Sequence, residues 1–197
     1  MCSWCYAFKS VWEQLKTRLP ENVDYQLVLG GLAPDNHEPM STAMREQVQL
    51  SWHNIEKKCP HIRFNFDFWT QTTPIRSTYP SCRAVLSARM QSADLEQSLL
   101  REIQQAYYQQ AQNPALDETL FACAETVGLD SVRFQQDYAS AEIEQQLQAE
   151  LSQTRLLNAS VFPSLYLQIE KSIWPVAVDY QSASIILEEI EVLLSFA

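Results

Sequence analysis

Glycine is nearly absent: the 197-residue chain carries three, against the roughly 14 that average usage implies. Alanine, leucine, glutamine and glutamate take its place, which predicts a mostly helical protein. Basic residues are also scarce, 14 Lys and Arg facing 24 Asp and Glu for a net charge of −10, a balance that repels phosphate backbones and anionic membranes. Neither nucleic acid nor a membrane is expected as a partner. No apolar run approaches the roughly 20 residues of a bilayer span, and no basic segment followed by an apolar stretch marks a signal peptide. The chain therefore reads as cytoplasmic. Five cysteines are too few, and odd in number, for a secreted disulfide framework, so they point to catalytic, metal-binding or buried thiols. A 46% hydrophobic composition at this length supports one core, in a single domain or a domain carrying an insertion.

Hydrophobic period divides the chain into three blocks. Trp4, Phe8, Val11, Trp12, Leu15 and Leu19 recur at helical spacing until Pro20, so the first helix begins on a cysteine pair. From Val23 the period becomes two, through Tyr25, Leu27 and Leu29, and predicts a strand ended by Gly30 and Gly31. Residues 39–158 read as successive helices, starting near Ser41, near Thr78 with Pro80 in the first turn, and near Ser92. Others start at Asp117, at Asp130 and near Ser140, the Asp117 helix stapled by Leu116 and Phe121 and ended by Gly128. Residues 61–73 fit a short strand or an aromatic loop equally well. The last block predicts a hairpin, 164–169 with 173–178, and a final helix from Ser182 with Ile186, Ile190, Leu193 and Leu194 on one face and acidic residues on the other.

Chemistry concentrates at Cys2-Ser3-Trp4-Cys5. At a helix N-terminus, unpaired N–H groups and the helix dipole favour a thiolate, so Cys2 is the candidate nucleophile. Cys5, one turn along, is placed to attack a mixed disulfide formed at Cys2. Trp4 lies between them and would shape an apolar rim for a substrate. Structural zinc needs four ligands, and the only neighbouring candidates, Cys59 and His61, form an awkward C-P-H triplet, so no metal site is expected. Pro163, ahead of the first hairpin strand, suits a strand start or a special turn, and X-Pro is the bond type in which cis is cheap. Cys82 and Cys123 read as buried inert thiols and Cys59 as an exposed loop cysteine beside Lys57 and Lys58. His37, His53 and His61 read as surface or loop residues and the tryptophans other than Trp4 mostly as core anchors. Tyr107 and Tyr108 fit either a solvated helix face or a cleft.

Cys-Ser-Trp-Cys-Tyr-Ala-Phe opening a helix, Gly-Gly-Leu-Ala-Pro after the first strand, a helical insertion and then Phe-Pro-Ser-Leu before a strand resemble the DsbA-like thioredoxin-fold proteins. Within them the chain is most similar to the cytoplasmic FrnE-type group. The resemblance implies an α/β thioredoxin-like domain of residues 1–38 and 159–197, split by a helical subdomain of residues 39–158. It implies dithiol–disulfide exchange with protein or small-molecule thiols, with Cys2 attacking, Cys5 resolving, and Phe162 and Pro163 as a substrate-facing loop whose peptide bond is cis and touches Cys2. No bound cofactor is implied; glutathione is the candidate redox partner, and no oligomeric state follows. Two departures stand out. The dipeptide between the cysteines contains no histidine to stabilise the Cys2 thiolate by charge. The family also has a strand directly before the C-x-x-C, whereas this chain starts one residue before Cys2. Neighbouring strands would then leave groups unpaired at a cost of roughly 1–3 kcal/mol each, so about ten upstream residues are expected to be missing, and a leader there would change the assigned compartment. Two other functions fit the scaffold: a glutathione-dependent isomerase or transferase of the kappa type, against which the cysteine at the nucleophile position argues, and a DsbA-like protease-adaptor or binding protein.

Overall fold

Cys2 adopts an extended backbone (φ −99°, ψ 118°) and caps helix α1, Ser3–Lys16, which the computed structural model places at the centre of the described residues, 1–196. Ala7, Phe8, Val11 and Leu15 form its buried stripe. The helix stops before Leu19, which still packs beside Val23 in the same apolar cluster. Residues 23–29 are not the expected strand. A period of two yields a ladder only where a neighbour supplies partners, and no described strand bonds to this segment. Instead Leu29 N–H donates to Glu150 Oε2 at 2.5 Å, and Tyr25 is 46% exposed with its ring against the edge of Trp12.

Seven helices follow: α2 (Thr42–Lys58), α3 (Phe68–Gln71), α4 (Tyr79–Gln91), α5 (Ala93–Tyr108), α6 (Asp117–Thr126), α7 (Ser131–Tyr138) and α8 (Ala141–Leu156). The capping residues act as their types predict, with Ser41, Ser92, Asp130 and Ser140 accepting backbone N–H bonds at the starts of α2, α5, α7 and α8. Two start differently. Leu116 holds the cap position of α6, while Asp117 lies in the first turn and accepts the Tyr138 hydroxyl at 2.6 Å. Thr78 spends its hydroxyl on both backbone groups of Ala33, fastening the 30–34 loop to α4. Gly128, at φ +81°, supplies the left-handed turn after α6 that a side chain would resist.

Residues 61–73 form an aromatic loop with the single turn α3, not a strand. Phe64 stacks on fully buried Trp52 at 4.7 Å, and Phe68 and Trp69 complete the same cluster. Tyr107 and Tyr108 join it, so they do not lie on a solvated face, and Tyr107 also lines a small cavity with Leu32, Ala33, Met40 and Val48. Cys59 is likewise core, 1% exposed, which corrects the loop reading: the end of α2 turns inward beneath the aromatic loop.

The hairpin pairs β1 (Leu165–Ile169) with β2 (Ser172–Val176) in antiparallel register, Leu167 opposite Trp174 and Leu165 opposite Val176. Its turn is shorter than expected because Glu170 takes a positive φ of 51°. Leu167 and Val176 pack on Phe8, Val11 and Leu15 and on Ile186, Leu187 and Ile190 of the last helix, α9 (Ala183–Leu194). Trp174 is 46% exposed and is not a core anchor. Helix α1 thus contributes Ala7 to the aromatic cluster and its other stripe residues to the hairpin cluster, which puts its N-terminus where the helical block meets the hairpin.

Candidate active site

Capping α1 with a cysteine has a direct electrostatic result. Cys2 Sγ accepts the Cys5 backbone N–H at 3.4 Å, as a serine cap would, but the acceptor here is ionisable. The larger influence is the Cys5 thiol, which hydrogen-bonds to the same sulfur. Together these contacts outweigh partial burial and lower the Cys2 pKa from 9.0 to about 7. The proton is kept by Cys5, whose pKa is raised by the same thiol contact and by burial. One helical turn therefore divides two identical side chains into a ready thiolate and a reserve thiol.

Across from this pair lies the loop ahead of β1. The Phe162–Pro163 bond is cis, as the resemblance implied, and the Cys2 thiol donates to the Phe162 carbonyl at 3.4 Å. The Phe162 ring lies against Gly30, so closely that a Cβ there would stand 2.1 Å from Cε1. The absent side chain at Gly30 is what lets this loop approach α1. Both cysteines are half-buried free thiols.

Trp4 belongs to a second rim. Its ring meets Tyr180 edge-on at 5.0 Å, and Lys58 Nζ sits 4.9 Å from the Tyr180 centroid and 5.8 Å from that of Trp4. Sequence reasoning missed Tyr180 and Lys58. They lie in polar surroundings with no periodic or motif signal, and only the packing of α2 and the 179–182 loop beside α1 brings them together. The structure thus gathers Cys2, Cys5, Phe162 and Pro163 at one point and places Trp4 on the flank.

The other cysteines have the opposite environment. Burial raises the Cys82 and Cys123 thiols to about 11, and burial also raises Cys59 despite the opposing charge of Lys58. The Lys57 and Lys58 charges do not make Cys59 a reactive thiol. His37, His53 and His61 are exposed, His53 stacked on Phe66 and His61 hydrogen-bonded to Ser10. Among the described residues no three His, Cys, Asp or Glu side chains gather where a metal ion could be held. No described helix is long and apolar enough to cross a membrane.

A sequence model of the thioredoxin family matches residues 1–172. Among solved structures, the chain is similar to a protein assigned as a protein disulfide isomerase from Nitrosomonas europaea, with a TM-score of 0.85 at 22% identity, covering 100% of this chain and 94% of that one. It is similar as well to the cytosolic disulfide reductase DsbM from Pseudomonas aeruginosa, with a TM-score of 0.77 at 19% identity over 100% of this chain and 96% of that one. The same reductase with GSH matches at a TM-score of 0.74 and 19% identity, over 99% of this chain and 95% of that one. Identities of this size carry the fold: thioredoxin-like, rich in helix, with a small two-stranded sheet.

Proposed function

This chain belongs to the thioredoxin family, and on that premise we propose that it is a DsbA-like thiol-disulfide oxidoreductase of the FrnE type, working through Cys2 and Cys5. The observation that carries the reading is the Cys2 sulfur at the N-cap of α1, 3.4 Å from the Cys5 N–H, with its pKa lowered to about 7. A thiol in that range is substantially ionised near neutral pH and remains a good nucleophile, since nucleophilicity falls as the pKa falls further.

The Cys2 thiolate attacks one sulfur of a substrate disulfide. A Cys2–substrate bond forms, the substrate S–S bond breaks, and its electron pair leaves on the other sulfur as a thiolate. Cys5 then gives up its proton to the released thiolate or to water and attacks Cys2 Sγ, expelling the second substrate thiolate and leaving a Cys2–Cys5 disulfide. The substrate gains two electrons and the dithiol loses two. The reverse sequence oxidises a substrate dithiol, and the potential of the pair sets the direction. Ionisation of Cys2 removes its donation to the Phe162 carbonyl, which leaves that oxygen able to accept an N–H from an extended substrate backbone. Phe162 and Pro163 are thus read as the substrate-facing loop, and Trp4 as one apolar wall.

Glutathione is the proposed small-molecule partner, supported by the similarity to a reductase solved with GSH. A cytoplasmic site of action and a thioredoxin-like domain of residues 1–38 and 159–197 around a helical insertion of residues 39–158 belong to the same reading. Equilibration with reduced and oxidised glutathione, followed by quenching and mass analysis, tests it. A reversible two-electron couple is expected; one near the cytosolic glutathione poise, about −240 mV, supports a reductase or isomerase, a much higher one an oxidase. The absence of any such couple would overturn the proposal. A biological role that survives the double variant Cys2→Ser, Cys5→Ser while disulfide exchange is lost would point to an adaptor instead.

A further inference from the structure

Resting on that reading of Cys2, we propose that Lys58 is a specificity-determining residue, its ammonium poised over the Trp4 and Tyr180 rings to bind a carboxylate of a small anionic disulfide such as glutathione disulfide. Three distant segments converge on this spot: the first turn of α1 through Trp4, the last residue of α2 through Lys58, and the 179–182 loop through Tyr180. The end of α2 is tied to that loop by Gln181, whose side-chain amide donates to the Lys58 carbonyl at 3.4 Å.

The charge of Lys58 is not spent within the protein. Among the described residues no carboxylate lies within 4.0 Å of its Nζ. Of the nearby acids, Glu56 accepts the Phe64 N–H on Oε1 at 2.8 Å and Asp179 accepts the Gln181 and Ser182 N–H groups on Oδ1 at 2.7 Å, and neither comes within 4.0 Å of the ammonium. The rings hold the ammonium electrostatically through their faces at 4.9 and 5.8 Å without consuming its N–H donors. A lysine whose position is restricted in this way loses less freedom on binding than one extended into water.

Its location gives that charge a task. The chain carries −10 overall, so an anionic disulfide approaching Cys2 is repelled by the molecule as a whole and needs a local positive charge beside the nucleophile. Trp4 lies in the first turn of α1, which Cys2 caps, and Tyr180 feels the charge of both thiols, so the ammonium held over these two rings stands on the flank of the dithiol. A neutral disulfide makes no use of it, and the consequence is discrimination among substrates.

The test compares glutathione disulfide with the uncharged bis(2-hydroxyethyl) disulfide. In Lys58→Glu the ratio of their kcat/KM values should fall about tenfold, in Lys58→Met about threefold, through the KM for glutathione disulfide, while Lys58→Arg retains most of the ratio. Added salt should shrink the wild-type preference. An unchanged ratio in Lys58→Glu, or a loss shared equally by both substrates, overturns the proposal. Calorimetric binding of S-methylglutathione, which cannot exchange, separates this inference from the one beneath it: affinity weakened by Lys58→Glu supports the site even in a protein without disulfide turnover, and affinity unaltered by it refutes the site even in an active enzyme.

Discussion

Cys2 and Cys123 carry the same thiol at two ends of the electrostatic range. Cys123 sits in α6 among Leu120, Ala124 and Phe134, 3% exposed, and burial pushes its pKa up to about 11. Cys2 is partly buried too, yet its pKa falls to about 7. Burial opposes ionisation in both, so what separates them is hydrogen bonding: Cys2 receives the Cys5 thiol first and the Cys5 backbone N–H at the N-cap second, while Cys123 lies inside a helix whose N–H groups are already used. Reactivity in this protein follows from a second thiol one helical turn away, together with the helix cap, more than from depth.

Replacing the reactive thiol should break the comparison most completely. Cys2→Ser is expected to lower disulfide turnover by about a thousandfold, because a hydroxyl in the same cap position is not ionised at neutral pH. Glutathione disulfide reduction coupled to a reporter checks this, with the circular dichroism of the variant as the control for folding. Cys5→Ser should slow steady-state turnover by roughly tenfold or more and accumulate a Cys2 mixed disulfide visible by mass, since the resolving attack is lost. Rapid turnover without that adduct would show that Cys5 is not the resolving group.

The titration of Cys2 sharpens the same contrast. Alkylation of Cys2 should rise with pH to a plateau with its midpoint at about 7, falling tenfold per pH unit below it, whereas native Cys123 remains unreactive across that range. The linked effect on stability has a definite sign. Because the folded value lies below the ordinary thiol value of 9.0, ionisation of Cys2 stabilises the reduced fold at higher pH, and that contribution is lost as the pH falls through about 7. A midpoint near 9 would mean that neither the Cys5 thiol nor the cap N–H acts on Cys2.

How far the site was legible in sequence depended on whether a signal was local. The start of α1 on Cys2, the caps at Ser41, Ser92, Asp130 and Ser140, the turn at Gly128 and the Pro163 loop ahead of β1 are set by residues within a few positions of one another, and each appears where expected, whereas Asp117 falls one position inside α6. Residues 23–29 alternate as a strand should, but strand formation requires a partner, which local alternation does not provide. Cys59 looked exposed from its charged neighbours, yet its position at the end of α2 turns it beneath Phe64 and Trp52. Lys58 and Tyr180 became visible only when tertiary packing set them beside Trp4.

Gly30 tests whether the loop opposite Cys2 matters as much as the helix that carries it. An added methyl would stand 2.1 to 2.7 Å from three atoms of the Phe162 ring, so the ring must swing away and shift the carbonyl that faces Cys2. Gly30→Ala is expected to cost about 1–3 kcal/mol of stability and to lower kcat/KM about tenfold. Unaltered kinetics in a destabilised variant would assign Phe162 to packing alone.

The smallest effect belongs to the other end of the comparison. Cys123→Ala leaves a sulfur-sized gap between α6 and the Phe134 side of the core, and should cost about 1 kcal/mol, or roughly 2–4 °C in Tm for a chain of this size. Cys123→Ser should cost more, because its hydroxyl would be desolvated in an apolar cluster. Neither should change disulfide turnover or the pH midpoint of Cys2, for Cys123 contributes nothing to the contacts that set that midpoint. A midpoint displaced by Cys123→Ala in a fully folded protein would show the two thiols to be linked through the helical block, and position at the helix cap would no longer account for the difference between them.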